Sequence, residues 1–287
     1  MCKCTVIHFY NRIICTQYIK IKQFKENTIM QYKHFHCHVD FISRKKGSVV
    51  GAAAYRSGEK LHERYKGKSH DFPHKDRVVH TAILLPPNAP REYMDRETLW
   101  NAVDDAEKRV DARTAREIEF SLPNMLNRAQ QITLAHEYVI NNFVNNGMCA
   151  DICIHDKNDG KPHCHVLLTT RNISPEGFSN KNRDWDKREN IAIWRSSLAK
   201  IMNHEFKRLG LPDRVSHESY KTRGINREPT LYIGKIMTAL ERRNIPTERG
   251  NKNRAIIEHN RLRELERQRE LERQREYERE MSFEHSR

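Results

Sequence analysis

The chain has 287 residues, 37% hydrophobic and 31% charged, with a net charge of +14 and a pI near 9.5. That length allows one large domain with appendages or two small ones, and the cationic excess selects polyanionic partners, nucleic acid before an acidic membrane surface. No run approaches the roughly 20 apolar residues that span a bilayer, the opening stretch has no convincing secretory segment, and the seven cysteines form no regular framework, so reduced thiols, no membrane insertion and a cytoplasmic location are expected.

Residues 1–29 lack any clear period and read as an upstream extension ahead of Met30, or as one extra strand. The alternation in HFHCHVDFI predicts a strand over 34–42, with His34, His36 and His38 on one face. An Ala-rich helix is expected over 48–61, with Ser48 as its cap. A strand over 78–85 ends at Pro86-Pro87, and a helix over 91–110 carries Leu99, Val103 and Ala106 on one side. A strand over 116–122 stops at Pro123, and an amphipathic helix is expected over 127–146. After a strand pair around Asp159-Gly160, helical spacing returns over 184–209, with Trp185, Ile193 and Trp194 as anchors. Residues 211–230 read as a basic loop and 231–243 as a helix. This order predicts an α+β domain with a central antiparallel sheet flanked by helices.

Beyond Gly250 the composition turns to Glu, Arg, Gln and Leu. LERQRE occurs twice in succession, so Leu265, Leu271 and Tyr277 recur every six residues. Six residues advance a helix by about 600°, which places these side chains on different faces and forms no a/d seam. Pairs at i,i+3 such as Glu264–Arg267 and Glu270–Arg273 instead support a solvated helical arm over 251–287.

The strongest chemical signal is IHDKNDGKPHCHVLLTT. Asp159-Gly160 is a hairpin turn signal that would fold His155 back beside His163 and His165. Alternation puts His163 and His165 on one face and Cys164 on the other. Three imidazoles converging this way make a metal site with open positions, whereas a closed structural zinc site would want a fourth ligand. A metal on so basic a protein suggests phosphate chemistry on nucleic acid.

Tyr55 follows three alanines and adjoins Arg56 and Lys60. It either packs its helix or attacks a phosphodiester, conserving the bond energy in a phosphotyrosine whose phenolate leaving group has a conjugate-acid pKa near ~10. Glu117 and Glu119 share a strand face and are the candidates to orient a histidine or take the phenol proton, with Glu119 preferred and Asp151 and Asp40 behind it. Arg44, Lys45, Lys46, Arg56, Lys60, Lys66 and Lys68, with Tyr65 among them, are candidate contacts to DNA.

The segments AAAYRSGEKL, HDFPHKDRVVHTAILLPPNAP, LWNAVDDAEKRVDARTAREIEFSLP and IHDKNDGKPHCHVLLTTR, in this order, resemble the MobA/MobL (MobQ-type) relaxases of mobilisable and conjugative plasmids. A later segment, SYKTRGINREPTLYIGKIMTALERRNIPTERGNKNR, resembles the family's region beyond the catalytic core. The resemblance implies a relaxase domain over 30–210, a basic continuation over 211–250, and Met30 as the natural start. It implies a strand- and site-specific nickase, with Tyr55 the nucleophile that becomes linked to a 5′ phosphate and His155, His163 and His165 the metal ligands. Mg²⁺ or Mn²⁺ is the ion so implied, although three nitrogens would also take Zn²⁺, Ni²⁺ or Co²⁺. The implied partners are hairpin and single-stranded DNA at an origin of transfer, with relaxosome accessory proteins and a coupling protein. His36 matches a histidine near the sheet centre. A rolling-circle initiator would share the chemistry but place its tyrosine after the histidines, and a catalytically silent origin-binding protein is the alternative outside enzymes.

Overall fold

A computed structural model describes residues 35–45, 47–73 and 77–284. The expectations for 1–29, Met30, His34 and Lys46 fall outside the described residues. The chain divides into two compact units, with the boundary between His217 and Glu218.

The first unit is built on a five-stranded sheet in the order β1-β5-β7-β6-β4, every neighbouring pair antiparallel. Its strands are β1 (Cys37–Ser43), β4 (Val78–Leu84), β5 (Arg113–Ser121), β6 (Ala150–His155) and β7 (His163–Leu168). Two small hairpins, β2 (Leu61–Glu63) with β3 (Lys68–His70) and β8 (Arg171–Ser174) with β9 (Gly177–Lys181), were not legible as strands. Each is too short for alternation to show.

One sheet face is continuous core. Ile118 and Phe120 of β5, Cys164, Val166 and Leu168 of β7, and Ile152 and Ile154 of β6 are buried there. Helices α3 (Arg128–Asn142) and α4 (Glu189–Arg208) cover this face with Leu134, Ala135, Tyr138, Trp194, Leu198 and Met202. Asn127 closes a reciprocal capping box with Gln130, so α3 begins where two orphan N–H groups are satisfied. The 184–209 helix is interrupted: a 3₁₀ turn spans Arg183–Asp186, and α4 starts only at Glu189. Trp185 and Trp194 are buried, but Ile193, expected as an anchor, is 58% exposed. Its neighbour Trp194 takes the inward position, and adjacent helical residues diverge by about 100°.

The opposite face is apolar at only one end. There α1 (Val49–Ser57) and α2 (Arg96–Asp105) bury Val50, Ala53, Ala54, Leu99, Trp100 and Val103 against Ala115, Cys149 and Leu167. Ser48 caps α1, its Oγ accepting from the Gly51 N–H. The helix ends at Ser57, short of the expected 61, because Gly58 takes a left-handed conformation with φ 71°. Gly51 faces His70 so closely that a Cβ would sit 2.9 Å from the imidazole, so the β2–β3 hairpin docks on α1 only through a glycine. The 91–110 helix likewise resolves into a 3₁₀ turn, Arg91–Met94, and α2, because Asp95 caps a new start through Thr98.

In the second unit α5 (Lys235–Arg242) precedes a long α6 (Glu248–Glu284). Asn253 and Asn260, two turns apart, each bond both the N–H and the carbonyl of a residue in the segment before α5, Leu231 and Glu228 respectively. Further along, Leu265 and Tyr277 are exposed and Glu264 pairs with Arg267 at 2.7 Å, as a solvated arm requires. Among the described residues no helix is long and apolar enough to cross a membrane.

Candidate active site

The β6–β7 hairpin puts His155 directly opposite His163, and Cys153 opposite His165. Gly160, with φ 74°, and Asn158, with φ 56°, supply the left-handed residues of the turn. Because β7 alternates, His163 and His165 emerge at the end of the α1/α2 face that these helices leave uncovered, while Cys164 is buried in the opposite core. The three ring centroids lie 4.8–5.6 Å apart. One ligand atom from each ring falls within 4.8 Å of the others, the spacing of a site that could hold one cation.

The outer nitrogens are committed. His155 Nε2 donates to the Arg56 carbonyl at 2.6 Å, His163 Nδ1 to the Lys161 carbonyl at 3.0 Å, and His165 Nδ1 to Glu117 Oε1 at 3.0 Å. A carbonyl or carboxylate oxygen only accepts, so each of these nitrogens carries the proton and the second nitrogen keeps a lone pair. That is how metal-binding imidazoles are usually oriented. Burial pushes the His155 imidazole down to about 4, with His165 and His163 acting in the same direction. The ring is therefore neutral at physiological pH, as a ligand must be.

Glu117 stands on β5 beside these rings. Burial works to raise its carboxyl, but hydrogen bonds from His165 and Arg56 outweigh it and hold it down at about 2. The Arg56 fork grips both Glu117 oxygens, Nε at 2.6 Å from one and Nη2 on the other. Its remaining arm reaches the Ala52 carbonyl at 2.8 Å. Glu119, two residues on, is 4.0 Å from His165 and its side chain is 39% exposed. Of the two carboxylates, Glu117 orients the histidine.

Arg56 thus joins α1 to the histidines twice, through its carbonyl to His155 and through its side chain to Glu117. Tyr55 is the preceding residue. It is 51% exposed, with its ring edge-on to Phe72 at 5.3 Å. Tyr55, Arg56, Phe72, Asp40 and Glu117 line one cavity of ≈ 380 Å³.

Other expected residues lie elsewhere. Asp151 points from β6 toward the same face but is fully buried, accepting from Arg96 Nε and Nη2 and from Trp100 Nε1 at 2.8–3.0 Å. Burial pushes its carboxyl up, and the guanidinium and indole N–H pull it back. Asp151 therefore anchors α2 and does not reach the cavity. His36 lies on the exposed approach to β1, its N–H bonded to Ser121 Oγ.

The basic residues also differ in kind. Arg44 is nearly buried, bonded to Asp104 and the Glu107 carbonyl and stacked 4.0 Å over Tyr65. Arg56 is taken up by Glu117, and Lys66 pairs at 3.1 Å with the buried Glu63. Lys45, Lys60 and Lys68 are exposed. The double role of Arg56 was not legible in the sequence, where an arginine next to a tyrosine reads as a phosphate contact.

The family model that matches the chain, over residues 47–243, is that of the MobA/MobL family. The chain belongs to this family. A conjugal transfer protein TraA of Rhizobium radiobacter is 30% identical over 72% of the chain and 22% of the relative. A mobilization protein MobL of Acidithiobacillus ferridurans is 30% identical over 73% of the chain and 64% of the relative. The chain therefore spans less than two thirds of the curated relatives it matches. A solved structure titled "Molecular Basis of Vancomycin Resistance Transfer in Staphylococcus aureus" superposes with a TM-score of 0.62 and 32% identity, over 65% of this MobA/MobL chain and 100% of that one. The α+β architecture with its antiparallel sheet is shared with that structure.

Proposed function

We propose that this protein is a metal-dependent DNA relaxase that nicks one strand at an origin of transfer for plasmid mobilisation, working in the cytoplasm. The observation that carries the reading is the double link of Arg56. It fixes the helix that bears Tyr55 to the same imidazole and carboxylate that would orient a cation. A nucleophile and a phosphate-binding centre must share one frame, since misplacement by an ångström costs rate steeply.

In the proposed reaction the Tyr55 oxygen bonds to phosphorus and the bond to the 3′ oxygen breaks. The strand is left with a 5′-phosphotyrosyl end and a free 3′-hydroxyl, which can later reverse the step. His155, His163 and His165 are the ligands; a divalent cation bound there, Mg²⁺ or Mn²⁺ by family resemblance, supplies Lewis-acid polarisation of a non-bridging phosphate oxygen. Three neutral imidazoles leave such an ion its full charge, which suits an anionic substrate. Glu117 and Arg56 hold His165 and α1 in place. Glu117, held at about 2 and gripped by a guanidinium, is a poor proton acceptor. Asp40 shares the cavity with the phenol and is better placed as base than Glu119, which the sequence favours. Lys45, Lys60 and Lys68 are free to meet backbone phosphates, the contacts that give binding its salt dependence.

The deciding experiment incubates the protein with single-stranded DNA from its plasmid's origin region and Mg²⁺ or Mn²⁺, followed by denaturing electrophoresis and mass spectrometry. A 5′-phosphotyrosyl peptide containing Tyr55 supports the reading. Origin binding with no covalent species would replace it with a silent DNA-binding protein.

A further inference from the structure

A second cavity, of ≈ 680 Å³, opens at the far end of the sheet from the histidines. It lies between the loop after α2, the first residue of β5, the β8–β9 hairpin and the 3₁₀ turn before α4. Lys108, Arg109, Arg113, Arg171, Lys181 and Arg183 line it, against the carboxylates of Glu107, Asp111 and Asp186, twice as many cations as anions.

The cavity is a built site. Glu107 is buried at its base and takes Arg171 Nε and Lys181 Nζ, each at 3.0 Å. Lys181 also donates to the Arg113 carbonyl, and Arg171 to the Ser179 carbonyl. These bonds hold two cations rigidly in the wall. Asp186 is turned to Arg116 and Arg183, and Asp111 to Arg109. Lys108 and Arg113 pair with no carboxylate among the described residues; Arg113 lies 4.4 Å over the Phe41 ring.

We infer that this cavity is a second phosphodiester-binding site, which holds the DNA backbone away from the point of cleavage. The inference rests on the DNA reading above, not on the nicking chemistry. Planar guanidinium forks and an ammonium are the groups that recognise phosphate oxygens, and a carboxylate ligand would use the same donors less fully. β5 runs from Arg113 at the cavity to Glu119, which pairs with His165. Six residues at about 3.3 Å each put the two sites roughly 20 Å apart. That is about six nucleotides along one strand of duplex DNA, each advancing ~3.4 Å. A strand of that length matches the separation of the two sites.

The test uses the full chain in chelator, so that no cleavage occurs. Fluorescence anisotropy follows binding to single-stranded and duplex oligonucleotides of arbitrary sequence across a salt series. Lys108 and Arg113 are exposed, so the double variant Lys108→Gln/Arg113→Gln should fold normally. It should bind several-fold more weakly and lower the slope of log affinity against log salt by about 1–2. Affinity and slope unchanged in this variant would overturn the inference. A second arm adds inorganic phosphate at constant ionic strength. If phosphate raises the thermal midpoint of the wild type but not of the double variant, while DNA binding is equal in the two, the site takes free phosphate and the backbone assignment falls. Absence of a Tyr55 adduct in the origin experiment would sink the nicking reading alone, since the anisotropy comparison does not depend on it.

Discussion

The two faces of the central sheet use histidine in opposite ways. Under α3, His80 of β4 meets His136 with their Nε2 atoms 2.9 Å apart, and the pair satisfies itself: one ring donates and the other accepts. On the other face His155, His163 and His165 bond outward to Arg56, Lys161 and Glu117 and keep one lone pair each. Among the described residues only the second group gathers three metal-competent side chains. Imidazoles on a sheet therefore make a candidate metal centre only when their outer nitrogens have acceptors elsewhere. The pair that bonds to itself is packing.

The same contrast separates the acids. Asp151 and Glu117 both meet arginine on the open face. Asp151 is sealed under Trp100 and Arg96, whereas Glu117 lines the cavity beside Tyr55. One holds a helix on the sheet and the other holds a histidine toward solvent.

The largest expected effect falls on the open face. Tyr55→Phe should eliminate the covalent DNA adduct altogether on denaturing gels while leaving the thermal midpoint and DNA binding unchanged, because the ring is half exposed. An adduct that persists would move the nucleophile elsewhere. Next, Arg96→Met leaves Asp151 buried without its partner and should cost about 3–5 kcal/mol in denaturant unfolding. A loss under 1 kcal/mol would mean that Asp151 is not the anchor of α2. Third, Glu117→Gln should weaken metal binding about 10–100-fold by calorimetry and should also lower stability, because the partly buried Arg56 loses its counter-charge. A stability loss with unaltered metal affinity would reverse the assignment of the two acids.

The histidine pair offers a test by pH. Burial lowers the imidazoles of both His80 and His136 below the ordinary value of 6.5. The unfolded chain then takes up protons first, so stability should fall as pH drops through about 6.5 toward the lower folded values, and be fully present above it. His136→Phe should flatten that slope in urea midpoints measured across the window. An unchanged slope would mean that the pair takes up protons equally in the folded and unfolded chains. Smallest of all, Ser48→Ala removes the cap of α1 and should cost about 1 kcal/mol, read as a small drop in thermal midpoint; a larger fall in nicking than in stability would show how tightly α1 is registered to the histidines.

The sequence by itself determined the sheet strands, the capped start of α1 and the histidine hairpin. Each of these is written in local terms: alternation of period two, Ser48 as a cap, and Asp159-Gly160 as a turn. The convergence of His155, His163 and His165 follows from the same alternation. Tertiary structure alone decided which acid serves the histidines, that Arg44 and Arg56 are held by carboxylates, that Ile193 faces outward, and that Asp151 is core. Those outcomes depend on residues brought together from distant parts of the chain: Arg56 and Glu117 lie 61 positions apart and Arg96 and Asp151 lie 55. A charged side chain reads the same in sequence whether it faces solvent or a buried partner. Only packing removes the water that makes the two cases differ.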